Sequence, residues 1–148
     1  MAQDPGNGSG TLLGTWKLQS FTTEDLATGQ KTDLFGAHPS GYLSYGPDLR
    51  MYAILVEEAR HAPADLVPTD AERIALFNGF SAYAGTYRVA GDTVSHVVDA
   101  SWNESWTGTT QVRQFRIVDN CLHITTLPAR NPVTGKECVS ELVWVKVE

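Results

Sequence analysis

The chain has 148 residues, 42% hydrophobic and 19% charged, which is enough apolar material for one globular domain with a substantial core. Eleven Lys and Arg against 17 Asp and Glu give a formal charge of −6, the wrong sign for binding phosphates, so nucleic acid is excluded as the expected partner. No apolar stretch is long enough to cross a bilayer, and MAQDPGNGSG carries neither a basic nor an apolar signal region. These features predict a soluble, cytoplasmic protein with no membrane partner, in which residues 1–10 are a flexible leader and residues 11–148 a single domain.

Short segments rich in Val, Thr, Tyr, Trp and Ile, punctuated by Gly and Pro, predict antiparallel sheet. In chain order, strands are expected over residues 12–21, 41–45, 49–55, 81–89, 93–102, 109–118, 121–127 and 137–146, with a weaker one at 30–32. Turn chemistry separates them at Ala27-Thr28-Gly29, Gly46-Pro47-Asp48, Ala90-Gly91-Asp92 and Asp119-Asn120, and in a longer loop over 128–135. One helix is expected. Thr69-Asp70-Ala71-Glu72 reads as a capping box and Gly79 as the stop, while Ile74 and Phe77 share a face that should close over something apolar. No internal repeat, low-complexity tract or domain linker interrupts the pattern.

Eight strands joined mainly by hairpins remove their edges by closing into a barrel of the size that holds one small ligand. The expected fold is therefore all-β, an eight-stranded antiparallel barrel with one short mid-chain helix capping an end, with a β-sandwich as the alternative. Alternation assigns the inner face. Val94, His96, Val98, Ala100 and Trp102 share one side of their strand, and a two-residue turn before them places Tyr83, Gly85 and Tyr87 on the same side. Tyr87 then stands opposite or diagonal to His96. Setting Trp102 near Thr109 puts Arg113, Phe115 and Ile117 inside, with Arg113 across from Val98 and diagonal to His96. A turn at Asp119-Asn120 aligns Ile117 with Leu122, Phe115 with Ile124 and Arg113 with Thr126, and sends Arg116 and His123 outward together.

Several of these segments carry a family likeness. Leu13-Gly14-Thr15-Trp16-Lys17-Leu18 resembles the Gly-x-Trp signature that opens lipocalin-type barrels. Gly41-Tyr42-Leu43-Ser44-Tyr45, Tyr83 to Val89, Gly91-Asp92-Thr93-Val94, Gly108 to Arg113 and Glu141-Leu142-Val143-Trp144 are similar, in matching order, to the small lipocalin-like domain family of bacteria and fungi. The resemblance covers the chain from about Thr11 onward. It implies an eight-stranded antiparallel barrel with an apolar interior, with Trp16 at its base, and by analogy with barrels of natural-product pathways it admits cyclase or isomerase activity. A fold does not by itself choose between binding and catalysis. The chain lacks a signal peptide, a disulfide pair, a Thr-Asp-x-x-x-Tyr segment and a long C-terminal helix, so secreted transport of retinoid-type cargo is not implied.

The candidate site residues each admit two roles. Trp16 packs a core or marks the barrel base. Arg113 either stacks on an aromatic ring or binds an anionic or carbonyl oxygen. His96, on an otherwise apolar face, is either a neutral imidazole satisfied by a tyrosine hydroxyl or a general acid or base. Tyr83 and Tyr87 are core aromatics with bonded tips, or donors to a ligand oxygen. As a catalytic set, His96, Tyr87 and Arg113 would transfer protons and stabilise an oxyanion; Tyr83, Val98, Trp102, Phe115 and Ile124 would line the ligand site, with Trp102 and Trp106 as an aromatic rim.

Four histidines without ligand spacing, and two distant cysteines, Cys121 and Cys138, predict no metal and no disulfide framework. No phosphate loop or nucleophile elbow is present, so no cofactor is expected. The leading expectation is a monomer or homodimer that binds a small, largely apolar, oxygen-bearing molecule. The alternatives are a cofactor-independent isomerase, cyclase or dehydratase, and a structural or interaction domain with a filled core.

Overall fold

The computed structural model describes residues 11–131 and 134–147. The expected leader, residues 1–10, lies outside them. The strands are β1 (Gly14–Asp25), β2 (Lys31–Thr32), β3 (Ser40–Tyr45), β4 (Arg50–Val56), β5 (Phe80–Ala90), β6 (Thr93–Ser101), β7 (Thr110–Val118), β8 (Cys121–Thr126), β9 (Ala129–Arg130) and β10 (Glu137–Val147), with helix α1 (Asp70–Asn78) between β4 and β5. They form one antiparallel sheet in which β1 pairs with both β3 and β10. That last pairing closes an eight-stranded barrel, with the two-residue β2 and β9 as flaps on β1 and β10. The sandwich alternative is thereby removed.

The two ends differ because their connections differ. Tight turns close one end: Gly46 to Leu49, Gly91-Asp92, and Asp119-Asn120, whose two residues both take positive φ (51° and 64°) as a type I′ hairpin turn requires. Leu12, Trp16, Tyr45, Tyr87, Val94, Leu122 and Trp144 are all buried there or just above it. The Trp16 indole donates to the Leu12 carbonyl at 2.9 Å, and the Lys146 ammonium lies 4.7 Å from the Trp16 ring centroid. The base position expected for Trp16 is where the chain places it. The long connections gather at the opposite end.

Alternation holds along most strands. Leu43 and Tyr45 on β3, Met51, Ala53 and Leu55 on β4, and Leu142 and Trp144 on β10 are buried, while Tyr42, Tyr52 and Ile54 on the other face of β3 and β4 are exposed. The Asp119-Asn120 register is as expected, pairing Phe115 with Ile124, Arg113 with Thr126 and Arg116 with His123.

Four expectations are corrected. Ala100 is exposed, because Asp99 is an extra residue in a bulge between the Gly85–Val98 and Ala84–Ala100 pairs, and Ser101 takes the place opposite Tyr83. Arg113 pairs with Val94 and not Val98, a slip of four along β6 that arises because the chain after Ser101 makes a 3₁₀ turn (Glu104–Trp106) and folds back so that Gly108 and Thr109 bond Val98. An even slip keeps the inner face unchanged, so Arg113 still points inward. Ile117 stands at the barrel end and is 36% exposed. Helix α1 keeps its capping box and its stop at Gly79, yet buries no residue; of the two apolar residues expected to close over something apolar, Ile74 is exposed away from the cavity and Phe77 borders its opening.

Candidate functional site

The mouth end encloses a cavity of about 350 Å³, within the range of small-molecule sites. Its walls are mainly apolar, with Phe35, Leu43, Leu55, Ile124, Leu142 and Trp144 inside and Phe77, Trp102 and Trp106 around the opening. The rim aromatics touch in series: Phe77 lies 6.4 Å from Trp102, Trp102 5.2 Å from Trp106, and Trp106 5.2 Å from Tyr83. Such offset and edgewise contacts favour aromatic company. Phe21 and Phe35 form a second edgewise pair at 5.2 Å.

The inner polar groups come from adjacent strands of one face. Tyr83 lies on β5, His96 on β6, and Gln111 and Arg113 on β7, where Gln111 pairs with His96 and Arg113 follows two residues on. His96 is 1% exposed and bonded at both ring nitrogens, Nε2 to the Tyr45 hydroxyl at 2.7 Å and Nδ1 to the Tyr83 hydroxyl at 2.8 Å. Burial first, and the Arg113 charge second, push its pKa down to about 3, so the imidazole is neutral at ordinary pH. Burial likewise raises Tyr45 well above the usual phenol value, and raises Tyr83 against the opposing pull of Arg113.

The Arg113 guanidinium lies 6.0 Å from the Trp106 ring centroid and donates to the Val112 carbonyl at 3.1 Å and to Gln111 Oε1 at 3.4 Å. No ion pair engages it among the described residues. Among the described residues the cavity wall contains no Asp or Glu, and its two charged side chains are Arg113 and, near the mouth, Arg130. The Trp144 indole N–H is buried with no partner among the described residues.

Of the residues predicted for the site, His96, Arg113, Tyr83, Trp102 and Ile124 line the cavity, and Tyr87, Val98 and Phe115 do not. Tyr87 sits below it with its ring 4.7 Å from that of Tyr45, and its hydroxyl donates to the Gly46 carbonyl at 2.8 Å. Val98 is buried where its backbone bonds Gly108 and Thr109, and Phe115 packs on the core. Parity assigns a face but not which inward side chain borders the open space: Tyr87 stands opposite His96 as expected, yet its hydroxyl is turned to the Gly46 carbonyl. Tyr45 escaped the sequence reading, although its parity with Leu43 on β3 was the signal that would have found it. No set of three His, Cys, Asp or Glu side chains among the described residues is arranged to hold a metal, and Cys121 and Cys138 are free thiols.

A closed antiparallel barrel, packed at one end and hollow at the other, defines a cavity-bearing β-barrel protein. The chain belongs to the lipocalin-like domain family, whose model matches residues 13–147. It is similar to a lipocalin-like protein from Bacteroides uniformis ATCC 8492, at 12% identity over 92% of this chain and 98% of that one, with a TM-score of 0.46. An uncharacterized protein from Bacteroides eggerthii DSM 20697 is similar at 13% identity over 92% and 99% of the two chains, with a TM-score of 0.44. No curated protein matches the chain. Among the described residues no helix is long and apolar enough to cross a membrane.

Proposed function

We propose that this protein binds a small, largely apolar molecule bearing one or two oxygens inside the barrel. The observation that carries this reading is the cavity itself, about 350 Å³ of mainly apolar space reached through an aromatic rim. It supports binding over a filled-core structural role. Binding is also favoured over the cofactor-free isomerase, cyclase or dehydratase built on His96, Tyr87 and Arg113. General acid–base catalysis works best with a pKa near the working pH, whereas His96 is held near 3 and its tyrosine partners are pushed upward. Tyr87, spent on the Gly46 carbonyl, is not placed to exchange a proton with a ligand.

Trp102 and Trp106 give the test. Titration with apolar polycyclic probes is expected to change tryptophan fluorescence saturably at micromolar concentration, and the response should shrink in the Trp102→Phe, Trp106→Phe double variant, where Trp144 of the cavity wall is the remaining reporter, while calorimetry still detects binding. A folded protein that gives no heat and no fluorescence change across the probe panel would overturn the reading.

A further inference from the structure

The hydrogen bonds around His96 form a directed chain. Tyr45 is 1% exposed and its hydroxyl has one hydrogen-bond partner among the described residues, Nε2 of His96. A buried O–H left undonated is costly, and that partner is the acceptor within reach. Tyr45 therefore donates to Nε2. A neutral imidazole carries one ring hydrogen, so the hydrogen sits on Nδ1 and is donated to the Tyr83 oxygen. The Tyr83 oxygen is thus used as an acceptor, and its own hydrogen is left for the cavity that its side chain lines.

Beside it stands Arg113, whose partners among the described residues are a carbonyl and a long contact to an amide oxygen, with no carboxylate. In a chain of net charge −6, a cavity wall with no acidic side chain among the described residues and with an arginine at its inner end is a local reversal of the overall charge. A partly buried guanidinium without a counter-ion gains most from a ligand that brings one.

From this we infer that the inner end of the cavity is an oxyanion-binding site, in which Arg113 and the Tyr83 hydroxyl hold the ionised oxygen of an aromatic acid, with Tyr45 and His96 as positioning residues. The inference rests on the binding function proposed above and names its ligand class. The aromatic body lies against Trp106 and Trp102, which continue the line of contacts from Tyr83 to the mouth.

Anthracene-2-carboxylate and its uncharged analogue 2-methylanthracene are the probes. The wild-type protein should bind the carboxylate about 10- to 100-fold more tightly, as a charge-assisted pair in a dry site allows. Arg113→Gln should remove that preference, so that the carboxylate binds no more tightly than 2-methylanthracene in the same variant. Equal affinity for the two probes would overturn the anion site while leaving the cavity as a binding site; binding of neither would overturn both. Tyr45→Phe, which touches no ligand, should weaken the carboxylate about 3- to 10-fold through the freed tautomer of His96, with 2-methylanthracene binding reporting that the barrel is intact. ¹⁵N NMR of His96 in the unaltered protein reads the chain directly: a hydrogen on Nδ1 supports it, and one on Nε2 overturns the aiming of Tyr83.

Discussion

A histidine buried between two tyrosines ties the acid stability of the protein to one side chain. The folded pKa of His96 is about 3, against about 6.5 for a solvated imidazole. Between these values the unfolded chain binds the proton that the folded chain refuses, so the contribution of this site to stability is intact above about pH 6.5 and falls as pH drops toward 3. The limiting slope for one proton is about 1.4 kcal/mol per pH unit. His96→Gln removes the titration along with the hydrogen-bond chain. Urea unfolding should therefore show the variant about 1–3 kcal/mol less stable at pH 7 and progressively closer to wild type toward pH 4.5. A gap independent of pH would show that His96 takes up its proton in the folded barrel as readily as in solution.

At the scale of elements, the β5–β6 hairpin decides what faces the cavity. The chain approaches so closely at the bulge that a Cβ on Gly85 would lie 1.8 Å from the Val97 carbonyl oxygen. Backbone must move to admit it, and Gly85→Ala should cost about 1–3 kcal/mol in chemical denaturation. The same shift alters the pairing that brings Tyr83 beside His96, so amide shifts in residues 83–101 should change more than those in β3 or β10. Asp99, the extra residue, is held outward in an ion pair with Arg50 at 2.7 Å. Nothing in the alternating pattern of Thr93 to Trp102 announces this insertion, because both faces remain plausible β sequence through Val98. Helix α1 shows the opposite balance. Its capping box is local chemistry and could be read directly, while the exposure of Ile74 depended on how the helix lies across the mouth.

The whole molecule is a barrel with a solid half and a hollow half, and the two should answer truncation differently. Leu122 is fully buried at the packed end, whereas Leu43, 1% exposed, borders the cavity. Leu→Ala substitutions cost about 2–5 kcal/mol, more where the surroundings cannot collapse or fill. Leu122→Ala is expected near the top of that range and Leu43→Ala near the bottom, measured by urea unfolding of the ligand-free protein. Saturating ligand should widen the difference between wild type and Leu43→Ala and leave the Leu122→Ala difference unchanged, because a bound molecule stabilises only through the contacts it makes. Equal costs at the two sites would mean that the cavity border is packed as tightly as the base.

Strand number, hairpin turns, the helix cap and the inner face of most strands were written in local patterns, since alternation and turn chemistry act over a few residues and repeat along the chain. The same parity carried Arg113 to the inside despite a four-residue slip in its partner. Tertiary structure alone decided barrel closure through β1 and β10, the bulge at Asp99, and the depth at which each inward side chain sits. It also chose Tyr45 over Tyr87 as the companion of His96: the two tyrosines meet edge to edge from strands far apart in sequence, and only their three-dimensional packing determines which hydroxyl reaches a ring nitrogen and which reaches the Gly46 carbonyl.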